Sequence, residues 1–385
     1  MSRARAAVGM AAAMIILGAC SSPGGGSASA SGSGGGGGNC VVGVSWNNFQ
    51  QPRWGATDKP KMKQTIEAGG GTFIDADANL DNQRQLSDVD SLIQRGAKVL
   101  VLLAQDNKAI LPALQKAKDA GIPVIAYDRL IEDTSGSVLY ITFDNVGVGK
   151  AEAEAILQKV PKGHYVLMKG DPGDANASTF LPSGWDQAGL KDKIASGDIQ
   201  IVGPKEGQFT PGWDTQKAQN EMEAIIDAAN ASNTKIDAVL AENDSTALGV
   251  AQALESKNYG FPPVSGQDGD PANLNNLALG KQYVDVWKNS NQLGIAAGQA
   301  ALQLCQGKKI NEVSINVDPS VAPAAGNSPT DFKTPGGNTV KSLILKPTPL
   351  TADQLGKVFA AGWYASKDQI CKGVDSSSPG AAACK

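Results

Sequence analysis

Charged, amide and indole side chains fall at one kind of place in this chain, directly after short apolar runs. Arg53 and Trp54 lie beyond the run at 41–44, and Asp128 and Arg129 follow one that ends at Tyr127. Asp171, Asp174 and Asn176 follow 164–168, and Phe209 and Trp213 follow 199–202. Glu242, Asn243 and Asp244 follow 238–241, Gln267 and Asp268 follow 264–266, and Lys288 ends the run around Trp287. Carboxylates accept hydrogen bonds, amides do both, and guanidinium and ammonium groups donate. Bonds to such charged partners are worth roughly 1.5–3 kcal/mol each. Indole and phenyl rings supply flat, rigid surface for apolar C–H faces. The mixture suits a neutral polyol such as a sugar, whose hydroxyls both donate and accept. An anion would meet the carboxylates and be repelled. Any single Asp or Asn here could instead cap a helix, but capping does not explain the whole set.

Other chemistries fit poorly. Asp75, Asp77, Asn79 and Asp81 have the spacing of a calcium loop, yet Leu80 and Leu86 stand where that loop needs Gly and Glu. A polar strand-to-helix loop is expected there, with Asn79 and Gln83 near a cleft mouth. Gly147-Val148-Gly149-Lys150 lacks the earlier Gly and the following Ser or Thr of a phosphate loop, and reads as a helix start. His164 is the one histidine, so a Ser-His-Asp arrangement is not expected. Paired carboxylates for glycoside hydrolysis could come from Asp128, Asp174 and Asp268. Arg53, Arg129 and Lys288 should keep these ionised, whereas a general acid needs a raised pKa. Neither enzyme activity nor a cofactor is expected, and without a CxxC or Cys/His cluster neither is a metal site.

The elements that position these residues follow from the apolar runs. Strands at 41–44, 71–74, 98–103 and 123–127 alternate with helical patterns at 59–68, 86–95 and 110–120. The strands show little polar alternation, so both faces should be buried in a parallel sheet between helices. The rhythm restarts with a helix at 148–160 and continues through strands at 164–168, 199–202, 238–241, 264–266 and 283–287. Helices at 182–196, 215–229, 245–256 and 292–306 accompany them. The expected fold is α/β, with two doubly wound parallel-sheet lobes. Residues 318–337 read as a surface loop, 340–345 as a strand and 352–372 as mostly helix. In such sheets ligands bind beyond the carboxyl ends of the strands, where the polar and aromatic residues cluster.

Arg3 and Arg5 precede an apolar segment at 6–17, too short to span a bilayer and suited to an export signal. It ends in Leu17-Gly18-Ala19-Cys20, which resembles the lipobox of bacterial lipoproteins and implies a lipid on Cys20. Residues 1–19 would be the signal and 20–38 the lipidated cysteine with a flexible Ser/Gly/Ala tether. The body from 39 onward would then sit just outside a membrane. The net charge of −4 is mild and the charges are interspersed, so no nucleic-acid partner is expected. Cys40, Cys305, Cys371 and Cys384 remain, an even number that suggests two disulfides in an exported protein. The sequence leaves the connectivity open, although a Cys371–Cys384 bridge would close a short terminal loop and leave Cys40 for Cys305.

Pro52-Arg53-Trp54, Ala126-Tyr127-Asp128-Arg129, Phe143-Asp144-Asn145 and Asp174-Ala175-Asn176-Ala177 recur in a known order with Gly212-Trp213, Asn243-Asp244, Ser265-Gly266-Gln267-Asp268 and Lys288. Over 41–373 the chain resembles the periplasmic sugar-binding proteins of ABC importers, most nearly their D-xylose-binding branch. The resemblance implies a periplasmic binding protein type I fold with a three-segment hinge near Asp144-Asn145, Lys288-Asn289 and Lys346 to Pro349. One lobe would comprise 39–144 plus 289–346, and the other 145–288 plus 347–385. It implies sugar contacts by Arg53, Asp128, Arg129, Asp174, Asn176, Trp213, Asn243, Asp268 and Lys288. Trp54 and Trp213 would stack on the ring, with Phe209 a weaker candidate. It places Cys40 and Cys305 at outer ends within one lobe, in favour of that pair. The implied partners are a monosaccharide, xylose first, and the membrane subunits of an ABC permease, with the protein a monomer. A sugar sensor for a receptor or chemotaxis partner is the alternative. The longer Pro/Gly-rich stretch before Val340, the extra cysteines and the lipoprotein start depart from the xylose-binding pattern.

Overall fold

Strands buried on both faces need a helix layer on each side, and the chain supplies these twice. The computed structural model describes residues 40–133, 135 and 137–385. The expected export signal, Cys20 and tether lie outside the described residues. Strands β1 (Val41–Trp46), β2 (Thr72–Asp77), β3 (Val99–Leu102), β4 (Val124–Tyr127) and β5 (Val138–Phe143) come first. Helices α1 (Lys59–Ala68), α2 (Asn82–Gln94) and α3 (Leu111–Asp119) connect the first four. After α4 (Asn145–Lys159) come β6 (Gly163–Lys169), α5 (Leu181–Gln187), α6 (Leu190–Ala195), β7 (Ile199–Ile201) and β8 (Gln208–Phe209). Next are α7 (Thr215–Ala231), β9 (Ala238–Ala241), α8 (Asp244–Ser256), α9 (Pro271–Leu279), β10 (Asp285–Trp287) and α10 (Ser290–Cys305). Strands β11 (Thr330–Lys333), β12 (Thr339–Leu345) and β13 (Thr348–Leu350) complete the sheets.

The first sheet is seven-stranded in the order β11-β12-β5-β4-β3-β1-β2, parallel except for β11. Val99 and Val101 face one core with α1 and α10, while Leu100 and Leu102 face another with α2 and α3. In the second lobe β6 pairs in parallel with β7, β8 and β9. Isolated bridges at Val264 and Gln267 carry that sheet on to β10, which pairs antiparallel with β13. Tyr165 and Leu167 enter one core and Val166 and Met168 the opposite one. The chain passes between the two sheets after β5, after β10 and after β12, which makes a three-segment hinge. This is the type I arrangement of two doubly wound lobes.

Several elements differ from the sequence expectations. β5 is an additional fully buried strand, and α9 an additional helix opened by Pro271 and closed by Gly280 at φ 82°. The 318–337 stretch contains β11, an edge strand whose Phe332 ring packs 5.6 Å from Tyr140 and 5.7 Å from Phe180. The helix expected over 352–372 is broken into Ala352–Gln354, Gly356–Ala360 and Lys367–Ile370. It breaks because Gly362 turns at φ 62° and Trp363 and Tyr364 leave to bond the 269–270 loop. The Gly147–Lys150 segment is the first part of α4, capped by the Asp144 carboxylate on Gly147 N–H. Gly149 serves packing: a Cβ there would lie 2.2 Å from the Leu181 carbonyl oxygen of α5. Asp81 caps α2 through the N–H groups of Gln83 and Arg84, in keeping with a polar loop rather than a calcium site. Disulfides join Cys40 to Cys305 and Cys371 to Cys384. No helix among the described residues is long and apolar enough to cross a membrane.

Candidate ligand-binding site

Each candidate side chain sits where a strand ends. β1 leads to Arg53 at the start of the π-helical turn Trp54–Asp58, and β4 leads to Asp128 and Arg129. From the second lobe, β6 leads to Asp174 and Asn176, β8 to Trp213, β9 to Asn243, the Val264 bridge to Gln267 and Asp268, and β10 to Lys288. Every residue expected to contact ligand, apart from the weaker candidate Phe209, lines one cavity, together with Gln51 and Gln267. Asp128, Trp213 and Asp268 hold φ of 61°, 56° and 104°. Left-handed backbone is unfavourable for these types and persists where surrounding structure enforces it, commonly at binding sites.

The electrostatics are dense and mostly balanced. Arg53 is fully buried and donates to Asp58 through Nε and Nη2, to Asp128 at 3.1 Å and to Asp268 at 2.9 Å. Burial alone would lower its pKa, but Asp58, Asp128 and Asp268 outweigh it and raise the pKa well above the usual value. Tyr127 donates its hydroxyl to Asp58 at 2.6 Å and completes that carboxylate's shell. Lys288 pairs with Asp268 at 3.2 Å, and Arg129 with Asp174 at 3.0 Å. Arg53–Asp268 and Arg129–Asp174 both join one lobe to the other. Burial pushes the Asp268 carboxyl up, yet Lys288 and Arg53 together hold it below its ordinary value. Asp174 departs from the expectation that the cations keep every acid firmly ionised. Burial outweighs Arg129 there and raises its pKa to about 6.

The aromatic residues divide. The Arg53 guanidinium lies 4.1 Å from the Trp54 ring centroid, and Trp54 Nε1 donates to Gln51 Oε1 at 2.5 Å. Trp213 lies against Gly170, where a Cβ would come within 2.2 Å of the indole ring. Phe209 is not part of the cavity wall; its ring sits under the Lys169 ammonium at 4.1 Å. Asn79 and Gln83 are likewise outside the wall, and Leu80 instead meets Gly212. Asn243 lines the cavity and also caps α8 through Thr246 N–H, so both readings of that residue hold. Asp171 fixes its loop by accepting from Gly173 N–H and from Gly212 N–H at 2.6 Å.

Gln51 and Gln267 are wall residues that the expected contact set leaves out, although the strand-end pattern already includes Gln267. Each adjoins a charged motif, Pro52-Arg53-Trp54 in one case and Asp268 in the other, and that adjacency was the available signal. Behind Asp268 lies a second layer of buried acids, Asp244, Asp270 and Asp285. Burial and then the Asp268 charge raise Asp270 to about 7, and burial likewise brings Asp285 to about 7. Tyr364 donates to Asp270 at 2.7 Å and Trp363 Nε1 to the Gly269 carbonyl at 2.6 Å, so the C-terminal segment braces the Asp268 loop. Among the described residues no group of three or more His, Cys, Asp or Glu is placed to hold a metal ion.

The sequence profile of the periplasmic binding protein domain matches residues 42–309. The chain is 33% identical over 307 residues to the D-xylose-binding periplasmic protein of Escherichia coli strain K12, covering 79% of this chain and 89% of that one. It is 32% identical over 347 residues to the multiple sugar-binding periplasmic receptor ChvE of Rhizobium radiobacter, covering 86% and 92%. Among solved structures, an ABC transporter solute-binding protein from Clostridium phytofermentans with bound β-D-glucose is similar at a TM-score of 0.74. The two share 32% identity over 86% of this chain and 99% of the other.

Proposed function

Because the chain belongs to the periplasmic binding proteins, in the branch that binds sugars for ABC transporters and is not enzymatic, we propose that it captures one aldose, xylose or a similar monosaccharide, between its lobes. The observation that carries this reading is the convergence of Arg53, Asp128, Arg129, Asp174, Asn176, Asn243, Asp268 and Lys288 with Trp54 and Trp213 on one small cavity. Paired acids and bases present fixed acceptors and donors to sugar hydroxyls, and the two indoles offer flat surface to the ring. The proposed lobes are 39–144 plus 289–346 and 145–288 plus 347–385.

Closure follows from differential contact. A sugar touching one lobe makes half of its bonds in an open cleft and all of them in a closed one, so binding shifts the population toward closure. Arg53–Asp268 and Arg129–Asp174 span the two proposed lobes and would help to hold the closed form. The closed shape would then be presented to an ABC permease by a monomer tethered through a lipid on Cys20. A role as sugar sensor is the second reading, favoured by one relative that is named a receptor. A thermal-shift screen of monosaccharides, followed by calorimetry, tests the proposal. A melting rise with xylose or a near aldose and none with disaccharides is expected. No rise with any aldose would sink it.

A further inference from the structure

Gln267 is 2% exposed and lines the cavity. Its backbone is held on both sides, since its carbonyl accepts from Asp244 N–H at 3.0 Å and the residue forms a bridge to Val286 of β10. Its side-chain nitrogen donates to the Glu242 carbonyl oxygen at 2.7 Å. A carbonyl can only accept, so this bond fixes which end of the amide is which. Oε1 is thereby left buried, with no hydrogen-bond partner among the described residues. An unmet buried acceptor is costly unless something donates to it. Two further atoms of cavity-lining residues share this condition. Asn176 gives its nitrogen to the Asp128 carbonyl and keeps Oδ1 unpaired, and Trp213 Nε1 has no acceptor among the described residues. Residues of the wall therefore carry unpaired acceptors and a donor of fixed polarity, beside charged groups that are already paired with one another.

Resting on the sugar reading above, we propose that the Gln267 amide oxygen is a direct, dedicated acceptor for the ligand, and that it makes a free donating hydroxyl at one ring position a requirement for binding. Arg and Lys side chains reward any acceptor, including an ether or a fluorine. An amide oxygen that cannot turn rewards only a hydroxyl hydrogen. Gln267 is then a specificity-determining residue that separates an aldose from its deoxy, deoxyfluoro or O-methyl analogue at that position.

Calorimetry of the wild type and Gln267→Met, with the tightest-binding aldose of a panel and its monodeoxy and monodeoxyfluoro analogues, tests this. Methionine keeps the length of the side chain and removes the amide. The wild type should lose roughly tenfold to a hundredfold for both analogues at one ring position. Gln267→Met should lose a similar factor with the parent sugar, and should no longer discriminate at that position while still discriminating at the others. Parent affinity within twofold of wild type, or unchanged discrimination at every position, would overturn the proposal. Should the variant fail to fold, Gln267→Asn, which keeps the amide and withdraws its oxygen by one methylene, takes its place with the same panel, and parent affinity within twofold of wild type overturns the proposal. The proposal then falls if no position exists at which the deoxy and deoxyfluoro analogues are both weakened. A wild type that binds no aldose at all overturns the sugar reading together with this one.

Discussion

Replacing Asp268 by asparagine strikes the carboxylate on which two cations meet. Asp268 accepts from Arg53 at 2.9 Å and pairs with Lys288 at 3.2 Å. Its φ of 104° favours asparagine over alanine as the replacement, because asparagine tolerates positive φ better. Charge-assisted bonds contribute roughly 1.5–3 kcal/mol against roughly 0.5–1.5 for neutral ones, so each bond weakens by about 1–1.5 kcal/mol. Only the Arg53 bond crosses between lobes, and it alone enters the equilibrium between open and closed forms. A bond from the carboxylate to a sugar hydroxyl would weaken by a similar amount. Together these predict a rise in Kd of about 25- to 150-fold, taking 1.4 kcal/mol per tenfold. The Lys288 bond lies within one lobe, so its loss should lower the melting temperature with or without sugar. Titration calorimetry with the preferred aldose, beside thermal melts of the free protein, separates the two effects. A Kd within threefold of wild type, together with a lowered melting temperature, would show that the carboxylate only holds its own lobe together.

Gly170→Ala should displace the Trp213 indole, since a Cβ at 170 meets the ring at 2.2 Å. Calorimetry should find sugar affinity down by at least tenfold, by loss of an aromatic contact, with circular dichroism unchanged. Stability should fall as pH rises from about 4, where unfolded carboxyls titrate, to about 7, where burial has moved Asp270 and Asp285. The sign follows because the folded protein holds protons there that the unfolded chain releases. Asp270→Asn should flatten that fall in a series of melts across pH. Opening the Cys40–Cys305 bridge should destabilise more than opening Cys371–Cys384. The first joins residues 265 apart and the second 13 apart, which gives chain-entropy differences of about 5–6 and about 3 kcal/mol. Urea unfolding of the paired Cys→Ser variants would show the order.

The sequence alone determined what depends on local pattern. Unalternating apolar runs such as 98–103 and 123–127 required a sheet covered on both faces, and such sheets take ligands beyond their strand ends, where the candidate residues lie. Residue type then singled out Arg53, Asp128, Arg129, Asp174, Asn176, Asn243, Asp268 and Lys288, which the fold gathers around one cavity. Tertiary structure decided what depends on partners distant in the chain. Phe209 and Trp213 read alike as aromatic residues after one strand, yet of the two Trp213 lines the cavity while the Phe209 ring lies against the Lys169 ammonium. The 352–372 segment has helical composition, but the bonds of Trp363 and Tyr364 to the 269–270 loop break it. Asp174 looks like any other paired carboxylate in the sequence, and only the depth of its burial carries its pKa to about 6. The role inferred for Gln267 has the same origin: a carbonyl brought beside it by the fold fixes the direction of its amide. Periodicity and residue type are properties of neighbours in the chain, whereas desolvation and hydrogen-bond polarity are set by whatever the folded chain brings into contact.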